Sequence, residues 1–347
     1  MNGESYMNKK VTVLMTVYNG EKYLEDAIRS ILEQSYQNFS FMIINDGSTD
    51  GTEEIILSNH DSRIIYIKND QNIGLTKSLN KGIDLIDSEY LVRMDADDIA
   101  MRNRLKLQIK FMDSNKDIAV SGTSILIFGN GKKKIHRALI NPKSIKTHLL
   151  FASALSHPST IIRTEILKQN NIKYLEVDEG TEDYGLWQKL AENYKLSNLK
   201  NILLKYRDNK LGITSNEEKN IDKRDKMHIN IYKRNFEYLN INTNDEDMII
   251  FRKFIMHRFI SEDELIKLSM LIFKLRKSIG FRTMEYDLKI FDRIIKNLFF
   301  SNVVVRENDE LDSIGVYKKY FDYISPLNVT DIIKIKVKKL LINSRRR

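Results

Sequence analysis

The sequence contains no cysteine and only 3 prolines among its 347 residues. Without thiols the chain has no disulfide, no cysteine nucleophile and no zinc site built on sulfur, which suits a reducing compartment, whereas metal sites of His, Asp or Glu remain open. The polar segment Met1–Lys10 has no apolar stretch, and no apolar run approaches the roughly 20 residues that cross a bilayer. We therefore expect a cytoplasmic protein that is, at most, peripheral on the inner face of the cell membrane.

Two common nucleotide-binding motifs are also missing. No G-x-G-x-x-G follows the first apolar segment and no G-x-x-x-x-G-K-[ST] occurs, which argues against a dinucleotide site and a P-loop. Internal repeats and Pro/Gly-rich linkers are absent as well. Lys and Arg number 56 against 47 Asp and Glu, a net charge of +9, so the surface favours nucleic acid, anionic lipid or phosphorylated substrates.

Apolar, β-branched segments alternate with stretches of helical periodicity through the first hundred residues. The predicted strands are Val11–Val17, Phe39–Ile44, Ile64–Ile67 and Tyr90–Met94, and the helices include Lys22–Gln34 and Leu75–Ile86. This β-α-β-α-β-α-β order predicts an α/β fold with a mostly parallel sheet covered by helices on both faces.

The pattern changes along the second half of the chain. After a helix over Arg102–Met112 come a hairpin around Gly129-Asn130-Gly131, a short strand, a helix over Tyr184–Asn193 and a strand over Ile202–Tyr206. Beyond about Asn216 only helical periodicity continues. We predict an α/β catalytic domain over residues 1–215 and a basic, helical C-terminal region over residues 216–347.

Ligands of parallel sheets bind at the carboxyl ends of the strands, where this chain places mainly polar residues. Three acids follow the fourth strand: Asp95, Asp97 and Asp98. Such carboxylates repel each other unless a cation lies among them, and Mg²⁺ or Mn²⁺ shared with substrate phosphates is the usual partner. The alternative is a solvated acidic turn that caps the next helix.

Other strand ends and one helix start carry further candidates. Tyr18 offers a flat face to a nucleotide base, and Asp46 either accepts hydrogen bonds from a base or ribose or closes a structural Asx-turn. Asp183 begins the helix that carries Trp187, where the helix dipole keeps a carboxylate ionised and suited to act as a general base. Simple helix capping is the alternative there.

Five segments together resemble the family 2 glycosyltransferases, which are inverting, sugar-nucleotide-dependent enzymes of the GT-A fold. The resemblance covers roughly residues 10–207 and rests on their order and spacing: VTVLMTVYNG at 11–20, INDGSTDG at 44–51, NIGLTKSLNKG at 72–82, VRMDADDI at 92–99 and Thr181-Glu182-Asp183.

Membership would assign roles to individual residues. It implies a nucleotide site formed by Thr16, Tyr18, Asn19, Asp46 and Asn72. It implies that Asp95 contacts the ribose side of the diphosphate, that Asp97 ligates Mn²⁺ or Mg²⁺, and that Asp183 deprotonates the acceptor hydroxyl. Leu79 replaces an arginine of many members, so the contact of that arginine with the diphosphate is either missing or supplied by Lys77 or Arg93. Further acceptor or donor contacts are expected from His157, Glu182 and Trp187.

The implied reaction is a single in-line displacement at the anomeric carbon, with inversion. The Q-x-x-R-W signature of processive polysaccharide synthases is absent, which indicates that one sugar is added per visit. The expected donor is UDP-linked. The implied acceptor is a surface-polysaccharide precursor, a glycan or a polyprenyl-diphosphate-linked chain. The basic, amphipathic segment Leu327–Ile342 either lies on an anionic membrane or packs on the catalytic domain.

Two other classes compete with this interpretation. Asp95-Ala96-Asp97-Asp98-Ile99 nearly fits the phosphatase loop of the haloacid dehalogenases, although Ile99 and the depth of the motif in the chain weigh against it. A non-catalytic scaffold or a nucleic-acid binder is opposed by the acidic cluster, because carboxylates repel a phosphate backbone.

Overall fold

The first strand is buried along its whole length at the centre of a parallel group of strands in a nine-stranded sheet. The computed structural model describes residues 9–209, 221–258, 260–304, 313–322 and 324–327. The strands are β1 Val11–Val17, β2 Phe39–Asn45, β3 Ile64–Lys68, β4 Tyr90–Asp95, β5 Ile99–Ala100, β6 Ile118–Gly129, β7 Lys132–His136, β8 Ile161–Arg163 and β9 Lys195–Arg207. Their order is β3-β2-β1-β4-β8-β6-β9-β5, with β7 paired to β6.

The four strands β3, β2, β1 and β4 run parallel, and β8 continues the sheet in the antiparallel direction. Thr16 pairs with Ile44 on one side and with Asp95 on the other. The carboxyl ends of β1, β2 and β4 are therefore level, which brings the polar residues that follow them to one edge of the sheet.

Seven helices accompany these strands in the described part of the first unit. They are α1 Leu24–Leu32, α2 Thr52–Ser58, α3 Leu75–Leu85, α4 Arg104–Ser114, α5 Pro142–His148, α6 Thr164–Gln169 and α7 Glu182–Asn193. Met15 shares a core with Ile28 of α1 and Leu105 of α4. The next residue back, Leu14, points to the other face, where a Cβ on Gly82 of α3 would lie 2.5 Å from it. Helices thus cover both faces of the sheet.

The chain divides into two compact units, residues 1–227 and 228–347. The boundary between the two units falls within helix α8, Ile221–Tyr238. The second unit contains α9 Asp245–Ile255, α10 Glu262–Gly280, α11 Leu288–Val304 and α12 Ser313–Tyr320. Its core includes the rings of Phe299, Tyr317 and Phe321, whose centroids lie 5.0 to 5.7 Å apart. Among the described residues no helix is both long and apolar enough to cross a membrane.

The predicted α/β class and the order of the first seven elements are confirmed. The final strand begins at Lys195, earlier than predicted, because its polar first half pairs with β6. Helices α5 and α6 span only 7 and 6 residues, too few for a clear helical period. The domain boundary near Asn216 stays a prediction, and the predicted membrane segment lies outside the described residues from position 328 onward.

Candidate active site

A cleft of about 960 Å³ opens at the level edge of β1, β2 and β4. Its lining combines strand ends, the loop after β3, a 3₁₀ turn and the first turn of α7. Of the 13 residues predicted from sequence, 11 line this cleft: Thr16, Tyr18, Asn19, Asp46, Asn72, Arg93, Asp95, Asp97, His157, Glu182 and Asp183.

The loops after β1 and β2 are tied to each other by side chains. The backbone N–H of Asn19 donates to Ser48 Oγ at 2.9 Å, and its side-chain oxygen accepts from the N–H of Thr49 at 2.9 Å. The N–H of Gly20 donates to Thr52 Oγ1 at 2.8 Å. Tyr18, at the rim of this pair of loops, remains 49% exposed, so its ring is available to a ligand.

Asp46 is buried and holds the loop that follows β3. Its Oδ1 accepts from Asn69 Nδ2 at 2.8 Å and from the N–H of Ile73 at 3.0 Å, while Oδ2 accepts from the N–H of Gly74 at 3.0 Å. The carboxylate therefore positions Asn72, whose own side chain accepts from the same Gly74 N–H at 2.9 Å. These bonds run to the segment after β3, and the two roles predicted for Asp46, a contact with a base or ribose and an Asx-turn, stay predictions.

Arg93 forms the floor of the cleft beneath the acidic cluster. Its side chain is 3% exposed and makes an ion pair with Asp95. Burial, the largest single effect, would lower the pKa of Arg93, but the charge of Asp95, its hydrogen bond and the more distant Tyr174 and Glu182 together outweigh burial, and the pKa is raised. The guanidinium Nε has no acceptor within the described part of the chain. A fixed positive charge thus lies under the first acid of the cluster.

The remaining two acids point to different surroundings. Asp97 lines the cleft and accepts from Asn209 Nδ2 at 3.2 Å, and burial together with the charge of Asp95 raises its pKa. Asp98 is 1% exposed and accepts from the N–H of Arg207 at 2.8 Å. Asp98 is consequently a support for the loop, and Asp95 with Asp97 face the ligand space.

Arg207 and Asn209, at the end of β9, were not predicted from the sequence. Arg207 Nε donates to the backbone carbonyl of Asp97 at 2.7 Å, and its guanidinium lies 4.1 Å from the ring of Tyr23 and 4.6 Å from that of Phe128. The available signal was the polar sequence after an apolar strand, which is the same signal that identified Asp95.

The donor set fits a hard divalent cation. Asp95 and Asp97 supply carboxylate oxygens, and the raised pKa of Asp97 reflects burial and a repulsion that a cation would relieve. Among the described residues no group of three or more His, Asp or Glu is placed to hold a metal. Ions such as Mn²⁺ or Mg²⁺ typically take one or two protein carboxylates and complete their coordination shell with phosphate oxygens and water.

Two carboxylates enter the cleft from the first turn of α7. Asp183 accepts from the N–H of Tyr184 at 2.7 Å and from Ser153 Oγ at 3.3 Å, and burial raises its pKa. Glu182 is 7% exposed and accepts from the N–H of Gly180 at 2.7 Å. Burial, followed by the charge of Asp183, raises the pKa of Glu182 to about 7.

His157 lines the cleft as a neutral imidazole. Its Nε2 lies 2.7 Å from the hydroxyl of Tyr174, and burial, followed by the charge of Arg93, holds its pKa well below the usual range. Trp187 is fully buried behind it, edge-on at 5.9 Å between ring centroids. The predicted contact of Trp187 with substrate is therefore corrected to a core role.

Lys77 also lies outside the cleft lining. It is on the exposed side of α3, where its Nζ is 3.4 Å from Glu176. Of the two residues predicted to contact the diphosphate in place of an arginine, only Arg93 is at the cleft.

Comparisons with known proteins identify sequence relatives of this chain. The sequence model described as glycosyl transferase family 2 matches residues 12–170. An uncharacterized glycosyltransferase of Methanocaldococcus jannaschii is 35% identical over 205 residues, which cover 57% of this chain and 70% of that protein. The amylovoran biosynthesis glycosyltransferase AmsE of Erwinia amylovora is 24% identical over 203 residues, covering 56% of this chain and 75% of AmsE.

Two solved structures share the fold. The structure of S. aureus TarS 1-349 in complex with UDP-GlcNAc superposes with a TM-score of 0.56 at 18% identity, covering 84% of this chain and 86% of that one. The mannosyltransferase PcManGT of Pyrobaculum calidifontis, in complex with GDP-Man and Mn²⁺, gives 0.53 at 14% identity, covering 95% and 87%. The sheet is that of the GT-A glycosyltransferases, and with the sequence matches it establishes that this chain belongs to glycosyl transferase family 2.

Proposed function

We propose that the protein is an inverting glycosyltransferase that moves a single sugar from a nucleotide sugar to a hydroxyl of a surface-polysaccharide precursor. One observation carries the proposal: Asp97, which follows β4, and Asp183, in the first turn of α7, line the same cleft. The loops after β1 and β2, which hydrogen bonds join to each other, line that cleft as well. A metal ligand, a general base and a nucleotide-binding surface are then within reach of one substrate.

In this proposal Asp97 would hold the divalent ion, which would neutralise negative charge growing on the departing diphosphate, and Asp95 contacts the ribose side of that diphosphate. Arg93 fixes the orientation of Asp95 through their ion pair. Its positive charge lies in a buried position and is therefore poorly screened by water. The diphosphate end of the donor would lie over these three side chains.

Asp183 serves as the general base. Two hydrogen bonds, from the N–H of Tyr184 and from Ser153, fix its carboxylate at the edge of the cleft. It takes the proton of the acceptor hydroxyl as that oxygen attacks the anomeric carbon on the face opposite the diphosphate, and inversion follows. A single carboxylate suffices because the leaving group needs no proton, whereas glycosidases place two carboxyl groups around the bond.

The neighbours support a nucleotide sugar without agreeing on the base. TarS was solved with UDP-GlcNAc and PcManGT with GDP-Man. We propose UDP as the nucleotide and a glycan or polyprenyl-diphosphate-linked chain as the acceptor, in line with the polysaccharide named for AmsE. The phosphatase interpretation of the acidic loop is not retained, since the family is established and Asp95 is engaged by Arg93.

A thermal-shift panel tests the donor site. UDP, GDP, CDP and dTDP, each with and without Mn²⁺, are added to the wild type, to Asp97→Ala and to Asp84→Ala, an exposed acid of α3 outside the cleft. A ligand at a hundredfold excess over its Kd adds about 2.7 kcal/mol of stability. We expect UDP to stabilise the wild type and Asp84→Ala only with Mn²⁺, and to have no effect on Asp97→Ala. Stabilisation of all three proteins alike, or of none, would contradict the proposal.

A further inference from the structure

Lys22 and Arg207 bring two positive charges to one aromatic ring in the lining of the cleft. The Nζ of Lys22 lies 5.0 Å from the ring centroid of Tyr23, and the guanidinium carbon of Arg207 lies 4.1 Å from the same centroid. All three residues line the cleft. Lys22 lies in the turn before α1, whereas Arg207 ends β9. Two segments far apart in the chain therefore place cationic groups close together at the substrate space.

The turn that carries Lys22 packs against the acidic loop after β4. A backbone hydrogen bond of 3.1 Å from the N–H of Tyr23 to the carbonyl of Gly20 closes this turn. A Cβ on Gly20 would lie 3.9 Å from the Cβ of Ala96, the residue between the two acids that face the ligand space. Lys22 itself is exposed, so its ammonium group is accessible to a ligand beside that loop.

Arg207 contacts the same loop and keeps hydrogen-bond donors in reserve. Its Nε donates to the backbone carbonyl of Asp97 at 2.7 Å. Burial and the charge of Asp95 raise the pKa of Asp97, and the positive charge of Arg207 acts against both effects. The two terminal nitrogens of Arg207 and the Nζ of Lys22 have no acceptor, and neither side chain forms an ion pair, within the described part of the chain.

The cleft as a whole carries more acids than bases. Seven acids line it against four bases, namely Asp46, Asp95, Asp97, Glu179, Glu182, Asp183 and Asp208 against Lys22, Arg93, Arg207 and Lys223. A diphosphate gains negative charge as it leaves the sugar, so it needs cations around it in such a cleft. Arg93 is already paired with Asp95, and Lys77 lies outside the lining. The donors of Lys22 and Arg207 are open to phosphate oxygens.

From this arrangement we propose that Lys22 and the terminal nitrogens of Arg207 bind the diphosphate of the nucleotide-sugar donor beside the divalent ion. The inference rests on the proposed function and adds two donor-binding residues to it. Arginine binds phosphate through paired N–H groups and lysine binds it as a point charge, and an anion between the two relieves their mutual repulsion. The phosphates of a lipid-linked acceptor have the same chemistry. The donor is favoured because Arg207 is bonded to the loop of Asp97, the proposed ligand of the ion that the donor diphosphate shares.

Lys22 gives the sharper test, because Arg207 also holds the acidic loop. Calorimetric titration of the full chain with Mn²⁺ gives the Kd of UDP and of UMP for the wild type, Lys22→Met and Lys22→Arg. We expect Lys22→Met to weaken UDP binding about tenfold, the low end for one hydrogen bond to a charged group. UMP binding should change less than about twofold, since UMP lacks the terminal phosphate, and Lys22→Arg should restore most of the UDP affinity because it keeps the charge. Added salt should weaken UDP binding more in the wild type than in Lys22→Met.

Lys106→Met is the matched control, since Lys106 is an exposed lysine of α4 outside the cleft lining, and it should leave both dissociation constants unchanged. Asp97→Ala tests the proposed function in the same experiment. Loss of Mn²⁺-dependent UDP binding in Asp97→Ala, together with an unchanged UDP Kd in Lys22→Met, would overturn this inference alone. An equal loss of UDP and UMP binding in Lys22→Met would also overturn it, as would an unchanged UDP Kd with a raised KM for the acceptor, which would assign Lys22 to the acceptor phosphates. A wild type that binds none of UDP, GDP, CDP and dTDP would overturn both proposals.

Discussion

The Nε of Arg207 donates a hydrogen bond of 2.7 Å to the backbone carbonyl of Asp97. The two residues are 110 positions apart in the chain. The same residue donates its backbone N–H to Asp98, and its guanidinium lies between the rings of Tyr23 and Phe128. The end of β9 therefore sets the conformation of the acidic loop from which Asp97 reaches the cleft.

Replacing Arg207 by lysine should disturb that loop while keeping the charge. A lysine offers no planar donor at the Nε position and stacks less well on aromatic rings. We expect stability to fall by about 1.5 to 3 kcal/mol, the range for a hydrogen bond to a charged group, and Mn²⁺-dependent UDP stabilisation to be lost.

Arg282→Lys is the matched control for this change. Arg282 also stacks on a tyrosine, Tyr238, at 4.9 Å, and donates to its carbonyl at 3.5 Å, but it lies in the second unit. Its substitution should leave nucleotide binding intact. Equal losses of UDP stabilisation in both variants would show that Arg207 has no specific role at the acidic loop.

Asp183→Asn should slow transfer strongly and spare donor binding. Removal of a general base costs typically 10²- to 10⁴-fold in rate, and the amide retains the size of the carboxyl group. We expect kcat to fall by about that factor, with the UDP dissociation constant changed less than about twofold and with Asp84→Asn behaving as the wild type. Transfer assays and calorimetric titration provide the two numbers.

The pH profile of the wild type gives a second test of Asp183. The base must be ionised to accept a proton, so activity should decline as pH falls through the pKa of Asp183. Burial raises that pKa above the ordinary aspartate value of about 3.9. An acidic limb that persists unchanged in the residual activity of Asp183→Asn would assign the titration to another group.

Glu182 should make stability fall as pH rises. Burial raises its pKa from 4.5 to about 7 in the folded protein, so the folded state binds the proton more tightly than the unfolded chain does. This contribution is fully present below about pH 4.5 and is lost as pH rises through about 7, up to about 3 kcal/mol in all.

Glu182→Gln isolates that effect because glutamine retains the shape and does not ionise. At pH 8 the variant should unfold several degrees above the wild type, and at pH 4.5 the two should coincide. Denaturation curves of both proteins across this pH range provide the comparison. Parallel curves would show that Glu182 does not titrate between the two limits.

Gly47→Ala should displace the loop that carries Asn72. Gly47 has a φ of +70°, and a Cβ there would lie 2.5 Å from the carbonyl carbon of Gln71 and 2.6 Å from the nitrogen of Asn72. Backbone at that distance must move. We expect UDP stabilisation to be lost. The free energy of unfolding should also fall by about 1 kcal/mol or more, because alanine is strained in the left-handed conformation.

Gly131→Ala is the control that has the strain of a left-handed backbone without the steric clash of Gly47→Ala. Gly131 has a similar φ of +74°, but no described atom lies within 4 Å of the added Cβ. It should show only the strain cost and normal UDP binding. If both alanine variants bind UDP normally, Asn72 and its loop do not contribute to the nucleotide site.

Much of the first unit could be predicted from local patterns. The buried strand Val11–Val17 was predicted residue for residue, because full burial on both faces leaves a continuous apolar segment. Its neighbours Phe39–Asn45 and Tyr90–Asp95 were one residue longer than predicted, since each ends on a polar residue that still pairs with β1. Strand ends then identified Thr16, Asp46, Asp95 and Asp97, which all line the cleft.

The sequence by itself determined the alternation of strands and helices, and therefore which polar residues follow which strands. Only the tertiary structure decided that Asp98 turns inward to Arg207 while Asp97 faces the cleft, and that Trp187 is core. The physical reason is that burial periodicity is a local property of ten or so residues, whereas the surroundings of a side chain after a strand depend on which distant segment packs there. In this sheet that segment is β9, which reaches the acidic loop through its pairing with β5 and β6.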